Sequence, residues 1–225
     1  MLTHQLISTE YDDRARKAIP AYEAIHAMAL AFLKLHLPET ANLLIVGAGT
    51  GMELVKFGSH SQWQLLGVDP SHNMLAIAQQ KITQNNLSNR IKLLQGYTHD
   101  LPATPLYDAA TCILVMHFLP DDGSKLALLQ SISQRLKSSA PFILVDIFGE
   151  KGSPEFEKIT AIIKLFWEHM GMSPVQITEG FARINQGVYP ITESRAIELL
   201  QQASFGNIMR FYTGLWGGGW IATKN

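Results

Sequence analysis

The chain has 225 residues, 47% of them hydrophobic, and a formal net charge of −1. The net charge is near zero and the sequence has no block of basic residues. Because binding a polyanion depends on a basic surface, both observations argue against nucleic acid as the main partner. No run reaches the ~18 apolar residues of a membrane helix, residues 1–17 lack the pattern of a secretory signal, and the single cysteine excludes an internal disulfide and indicates the cytoplasm.

Hydrophobic periodicity predicts alternating helices and strands over the first two thirds of the chain. Apolar residues at helical spacing predict a helix over residues 21–36. Short apolar runs predict strands at 43–46, 65–69, 90–94, 107–115 and 142–147, and helices begin near Met52, at Pro70 and Ser71, and after a cap at Asp121 or Asp122. This alternation is typical of an α/β fold with a doubly wound, mostly parallel sheet.

The pattern changes after Gly149. Ser153 and Pro154 are typical of a helix start, and a broad apolar face follows over 159–170. Residues 174–190 show only short, ambiguous segments, and Thr192 begins a further helix. Residues 207–213 and 216–223 predict a closing antiparallel hairpin with a glycine-rich turn, which gives seven strands in all. We expect residues 1–40 and the insertion 149–192 to form a helical cover over the carboxyl ends of the strands, where open α/β sheets bind ligands.

A glycine turn, GAGTG at residues 47–51, follows the first predicted strand. A dinucleotide fingerprint has its third glycine at the sixth position, but Met52 stands there and the glycine comes one residue early at Gly51. A P-loop needs a Gly-Lys-Ser/Thr ending, which is absent. The turn therefore disfavours a phosphate ligand, and by itself it fits either a nucleotide-type site or a plain tight turn.

Asp69 ends the second predicted strand 18 residues beyond Gly51, the distance at which an acid lies beside the glycine turn and can accept hydrogen bonds from ribose hydroxyls. A simple cap of the following helix is the alternative. The strand, turn, helix, strand and acid together favour the ribose role.

Four segments, VGAGTG, GVDPSHNML, LLQGY and YDAATCILVMHFL, together with the closing antiparallel pair, resemble the class I methyltransferases that use S-adenosylmethionine. The resemblance covers nearly the whole chain after residue 40 and implies one methyltransferase domain over 1–225. It implies that residues of the turn contact the methionine part of the cofactor, and that those after the second, third and fourth strands contact the ribose, the adenine and the sulfonium: Gly47, Ala48, Gly49, Thr50, Gly51, Asp69, Pro70, Met74, Tyr97, Thr98, Leu114 and Val115. Many members have an acid just after the glycine that follows the third strand, where this chain has Gly96 and Tyr97.

The segment RKAIPAY, residues 16–22, is similar to the start of the enzymes that carboxymethylate wobble uridine in tRNA and of their methyltransferase relatives. The resemblance implies that Tyr22 contacts the carboxylate end of the cofactor; a tyrosine packed on the sheet edge is equally consistent. Those enzymes hold a carboxylated cofactor with an extra arginine. Arg183 lies in a comparable region, but its surroundings do not match, so ordinary S-adenosylmethionine is favoured.

The predicted function is transfer of a methyl group from S-adenosylmethionine to an unidentified small or medium-sized acceptor. The alternatives are a tRNA wobble-uridine carboxymethyltransferase, which the net charge does not support, a nicotinamide-dependent oxidoreductase, which Met52 disfavours, and a cofactor-binding protein without catalysis. We predict no metal and no membrane partner. A homodimer stays open, because the apolar covering helices can pack on the sheet or on a second subunit.

No residue is assigned to catalysis from the sequence. His117, just past the fourth strand, is the best-placed general base, although a helix cap or a buried hydrogen-bonded histidine is the favoured interpretation. Tyr22, Phe118, Phe166 and Trp167 are candidates to face the sulfonium, and Cys112 is expected to be a small buried residue of the fourth strand.

Overall fold

The structure, a computed structural model, describes residues 2–225, with side chains from residue 10 onward. In chain order the helices and strands are α1 Leu2–Ala18, α2 Tyr22–His36, β1 Asn42–Val46, α3 Met52–His60, β2 Gln64–Asp69, α4 His72–Gln84, β3 Ile91–Gln95, β4 Ala109–Ile113, α5 Ser124–Ser133, β5 Pro141–Ile147, α6 Pro154–His169, α7 Pro174–Gly187, α8 Glu193–Gln202, β6 Phe205–Gly214 and β7 Gly217–Lys224. Short 3₁₀ turns lie at Thr98–Asp100 and Met116–Phe118.

All seven strands form one sheet in the order β3-β2-β1-β4-β5-β7-β6. The strands β1 to β5 are parallel, and β7 runs antiparallel to both β5 and β6. The predicted fold class is therefore confirmed. Because the strand order reverses between β1 and β4, the connections at their carboxyl ends diverge and open a crevice there, which is where ligands bind in sheets of this kind.

Helices bury both faces of the sheet. On one face α2, α3 and α4 cover the sheet with side chains such as Leu33, Leu54 and Ile82, all fully buried. On the other face α5 and α8 contribute Leu129 and Leu199. Each such side chain contributes roughly 1.5–3 kcal/mol when it is fully buried, so the sheet and its two helical layers form a stable support for the crevice.

Two predicted boundaries were wrong for local reasons. The fourth strand ends at Ile113, not at residue 115, because Leu114 has a φ of 60° and leaves the extended conformation. The cap of α5 is Gly123, with a φ of 107°, in place of Asp121 or Asp122. Asp122 instead accepts hydrogen bonds from the backbone nitrogen and hydroxyl of Ser124.

The structure adds two helices that the sequence pattern did not predict. Helix α7 occupies most of the ambiguous segment and begins with a capping box, in which Ser173 Oγ accepts from Gln176 N at 3.3 Å and Gln176 Oε1 accepts from Ser173 N at 2.8 Å. Helix α1 precedes the predicted one. The three glycines 217–219 belong to strand β7 and not to the hairpin turn.

None of the helices that the structure describes is, taken singly, both long and apolar enough to cross a membrane. The segments Glu10–Ala18 and Tyr22–His36 pass that test of length and composition only as a pair, bent by 86°.

Candidate cofactor and acceptor site

The glycine turn between β1 and α3 depends on backbone conformations that favour glycine. Gly47, Gly49 and Gly51 have φ values of 74°, 50° and 80°. A Cβ at Gly47 would lie 2.1 Å from Val115 Cγ2, and one at Gly51 would lie 2.9 Å from Ala78 Cβ. Packing therefore excludes a side chain at the first and last glycine. A Cβ at Gly49 would meet only the carbonyl oxygen of Gly47, at 3.8 Å, among the described residues.

Asp69 lies beside this turn, as the sequence predicted. Its Oδ2 accepts a hydrogen bond from Gly49 N at 2.9 Å, and its Oδ1 accepts one from Ser71 N at 2.8 Å. Pro70 is exposed and Met74 is half-buried on the first turn of α4. Each carboxylate oxygen has two acceptor sites, so Asp69 retains acceptor capacity for a ligand while it holds the turn and the start of α4 together.

Helix α1 crosses this region and contributes groups that sequence analysis missed. Asp12 is 5% exposed and accepts a 2.6 Å hydrogen bond from Thr50 Oγ1 in the glycine turn. The same carboxylate forms an ion pair with Lys81 of α4. Burial raises the pKa of Tyr11, and the charge of Asp69 raises it further. The N-terminal helix is thus in contact with the turn and close to the acid.

Glu53, on the first turn of α3, is a buried carboxyl without a hydrogen-bond partner on Oε1 among the described residues. Burial raises its pKa to about 7, and the nearby Thr111 hydroxyl lowers it in part, although that hydroxyl makes no hydrogen bond of good geometry. Burial also raises the pKa of Tyr22, and the charges of Asp12, Tyr11 and Glu53 add to this. Tyr22 and Glu53 therefore lie in one acidic environment.

A carboxylate stands beside the turn after β3. Gly96 and Tyr97 begin this turn, and Asp100 Oδ2 accepts from Tyr97 N at 2.8 Å. A Cβ at Gly96 would lie 2.7 Å from that oxygen. Thr98 is buried, whereas Tyr97 is 55% exposed with its ring stacked on His99. Asp100, four residues after Gly96, therefore places a carboxylate beside this turn, and sequence analysis did not single it out.

The end of β4 contacts the glycine turn. Leu114 N donates to Val145 O of β5 at 2.7 Å, and the next side chain, Val115, packs against Gly47. The residues predicted near the sulfonium therefore lie at the reversal between β1 and β4.

His117 is a buried histidine fixed by Asp146 of β5. His117 Nδ1 contacts Asp146 Oδ1 closely, Asp146 Oδ2 accepts from His117 N at 2.8 Å, and Ile147 N donates to Oδ1 at 2.8 Å. Lys125 Nζ donates to Met116 O at 2.8 Å nearby. Burial lowers the pKa of Lys125, while the charge of Asp146 raises it. The hydrogen-bonded interpretation of His117 is confirmed, with a partner that the sequence did not indicate.

The predicted aromatic residues divide into core and surface. Trp167 is 3% exposed and donates from Nε1 to Ala18 O at 3.0 Å, which ties α6 to the end of α1. Phe166 is partly buried and packs against the hydrophobic cluster that contains Trp167. Phe118 is 58% exposed, with its ring centroid 4.1 Å from that of His117.

Two further candidates are an exposed arginine and a buried cysteine. Arg183 is exposed on α7 and pairs with Glu179 at 3.8 Å. Cys112 is fully buried in β4, and burial raises the pKa of its thiol. Within residues 10–225 no group of three or more His, Cys, Asp or Glu side chains has the arrangement of a metal site.

Comparison with known proteins shows what the chain is similar to. Residues 43–139 match a family model described as a methyltransferase domain. The chain is 26% identical over 136 residues to (+)-O-methylkolavelool synthase of Herpetosiphon aurantiacus, an alignment covering 60% of this chain and 47% of that protein. It is 21% identical over 206 residues to carboxy-S-adenosyl-L-methionine synthase of Ruthia magnifica, an alignment that covers 89% of this chain and 84% of that protein.

Among solved structures, the chain is similar to an O-methyltransferase family 2 protein from Planctomyces limnophilus in complex with apigenin, with a TM-score of 0.66 and 14% identity over 99% of this chain and 61% of that one. This likeness concerns the fold. The chain spans about half the length of (+)-O-methylkolavelool synthase.

Proposed function

We propose that this chain, which carries a class I S-adenosylmethionine-dependent methyltransferase domain, transfers the methyl group of S-adenosylmethionine to a small or medium-sized acceptor. The observation that carries the proposal is the hydrogen bond between Gly49 N and Asp69 Oδ2, because it joins the glycine turn to the acid at the reversal between β1 and β4. When bound, the cofactor supplies a methyl group on a positively charged sulfonium.

The residues around the crevice fit each part of that cofactor. Asp69 accepts hydrogen bonds from the ribose hydroxyls, with Pro70 and Met74 beside it. Tyr97 and Thr98 flank the adenine, and Asp100 accepts from its amino group. The turn Gly47, Ala48, Gly49, Thr50 and Gly51 approaches the methionine part, and Leu114 and Val115 lie by the sulfonium.

Glu53 and Tyr22 complete the methionine end. The unpartnered Oε1 of Glu53 accepts from the ammonium group of the cofactor, and Tyr22 donates to its carboxylate. A buried carboxylate without a partner is unfavourable, so a ligand cation that approaches it supplies the missing interaction.

Two observations favour ordinary S-adenosylmethionine and a small acceptor over tRNA carboxymethylation. Arg183 is exposed and paired with Glu179, and the net charge of −1 provides no general attraction to RNA. The similarity to carboxy-S-adenosyl-L-methionine synthase keeps the carboxylated cofactor as the second candidate. In this proposal the chain is one domain over 1–225, and residues 1–40 and 149–192 cover the cleft and shape the acceptor pocket.

The test is ligand binding measured by thermal shift and calorimetry. S-adenosylmethionine and its demethylated product are expected to raise the melting temperature, because a ligand that prefers the native state stabilises it, whereas NAD is expected to leave it unchanged. D69N is expected to weaken binding about 10- to 100-fold, since each hydrogen bond to a charged group contributes roughly 1.5–3 kcal/mol. D122N, on an exposed turn, is the matched control. Binding of NAD alone would refute the proposal, and tighter binding of the carboxylated cofactor would support the second candidate.

A further inference from the structure

The guanidinium of Arg135 is a buried cation that is held by neutral oxygens. Arg135 lies two residues after α5 and is 8% exposed. Its Nη1 donates to O and Oγ of Ser131 at 2.9 and 3.1 Å, and its Nη2 donates to the carbonyl oxygens of His99 and Leu101 at 3.2 and 2.8 Å. A buried charge is ordinarily paired with an opposite one. What the guanidinium provides here is therefore a planar fork of donors with fixed directions.

The two carbonyls that Nη2 binds belong to the residues on either side of Asp100. Asp100 ends the short 3₁₀ turn, in which Asp100 N donates to Tyr97 O at 3.1 Å and Leu101 N donates to Thr98 O at 3.2 Å. A single 3₁₀ turn has poor hydrogen-bond geometry, and its last carbonyls have no partner within the turn. Because Arg135 supplies those partners, it holds the chain on both sides of Asp100.

The other end of the same segment is joined to the proposed ribose acid. Gly96 N donates to the backbone oxygen of Asp69 at 3.1 Å, and Asp100 Oδ2 accepts from Tyr97 N at 2.8 Å. The segment is thus fixed to the end of β2 where it begins and to Arg135 where it ends. These contacts together determine where the Asp100 carboxylate lies relative to Asp69.

We propose that Arg135 is a positioning residue for selection of the base, and that it makes the site prefer a purine with an amino group at position 6 to one with an oxygen there. This inference rests on the proposed function, in which Asp100 accepts from the adenine amino group. An oxygen at position 6 would face the carboxylate as a second acceptor and leave both without a donor. When the fork is removed, the turn is free to shift, and the preference for the amino group falls.

The experiment measures two ligands by calorimetry on each variant: S-adenosylhomocysteine, and S-inosylhomocysteine, which has an oxygen at position 6. R135K keeps the charge but not the fork. R90K is the matched control, because Arg90 also binds two carbonyls, those of Gly58 and Ser61, but it precedes β3 at the end of the strand opposite the crevice. D100N and the double variant D100N/R135K complete a double-mutant cycle.

We expect wild type to bind S-adenosylhomocysteine about 10- to 100-fold more tightly than S-inosylhomocysteine, since the amino group donates to a charged acceptor. R135K should lower this ratio about 5- to 10-fold, mainly by weakening the adenine ligand, whereas R90K should keep the wild-type ratio. D100N should lower the ratio by itself, because an amide both donates and accepts. Adding R135K to D100N should then change the ratio less than about twofold, because Arg135 acts through Asp100.

Equal weakening of both ligands in R135K would assign Arg135 a purely structural role and overturn the inference, as would an undiminished effect of R135K in the D100N background. If R135K does not fold, the Nη signals of Arg135 in wild-type NMR spectra decide. They should shift when S-adenosylhomocysteine binds and shift less with S-inosylhomocysteine, while those of Arg90 stay unchanged; equal shifts of the Arg135 signals, or none, would overturn the inference. A wild type that binds both ligands equally would refute the base preference and leave cofactor binding standing. If wild type binds neither ligand, the proposed function fails first.

Discussion

Replacing Glu53 with glutamine should make the ligand-free protein more stable above neutral pH. Burial raises the pKa of this carboxyl from 4.5 to about 7. Because the folded-state pKa lies above the unfolded one, the native state holds the proton more tightly, and stability that is fully present below pH 4.5 is lost as the pH rises through about 7. A difference of this size corresponds to about 3 kcal/mol, at about 1.4 kcal/mol for each pKa unit.

Urea unfolding at pH 5 and pH 8, without ligand, measures this effect. We expect E53Q and wild type to differ little at pH 5, and E53Q to be more stable at pH 8 by up to about 3 kcal/mol. Glu150 is exposed, so E150Q is the control and should follow wild type at both values. A difference between E53Q and wild type that does not change with pH would contradict the reasoning.

The same substitution should weaken cofactor binding, although it stabilises the ligand-free protein. If the ammonium of the demethylated cofactor binds ionised Glu53, wild-type affinity should be about tenfold lower at pH 6 than at pH 8, because the carboxyl must first release its proton. E53Q should bind about 10- to 100-fold more weakly at pH 8 and lose this pH dependence. Methylthioadenosine lacks the ammonium, so wild type and E53Q should bind it with the same affinity. Equal weakening for both ligands would show that E53Q acts by distorting the turn.

Three other substitutions test the remaining parts of the site. Y22F should lower affinity for the demethylated cofactor about 5- to 10-fold in calorimetry, without an effect on methylthioadenosine, because only the former has a carboxylate for the hydroxyl to bind; unchanged affinity would return Tyr22 to a packing role. D12N should remove the ion pair with Lys81 and leave Thr50 only a neutral acceptor, which should cost about 1–3 kcal/mol in urea unfolding and speed proteolysis within α1, whereas D13N, on an exposed residue of the same helix, should not. Resistance of D12N to protease would show that α1 is held by other contacts. G47A should destabilise the protein by about 1–3 kcal/mol more than G152A. Gly47 and Gly152 both have a positive φ, but only at Gly47 would a Cβ clash with a neighbour, Val115. Similar losses of stability in the two variants would mean that the Val115 side chain moves without cost.

The sequence by itself determined the strands, the class of sheet and the meeting of Gly49 with Asp69. These features follow from local rules: continuous apolar runs between helices force a parallel sheet, and parallel neighbours bring the ends of β1 and β2 to the same edge. The turn conformation likewise depends on three glycines that are close in the chain.

Only the tertiary structure decided which side chains act together. Asp146 lies 29 residues from His117, and Asp12 lies 38 residues from Thr50, and they meet because the order of the strands and the path of α1 bring them together. In the described part of helix α1, Asp12 is buried and contacts Thr50 and Lys81, and hydrophobic periodicity does not record polar contacts of this kind. The unpartnered oxygen of Glu53 cannot be predicted from the sequence, because a glutamate on the first turn of a helix is ordinarily exposed. Here the side chain is buried beside Thr111 of β4 and near Tyr22 of α2.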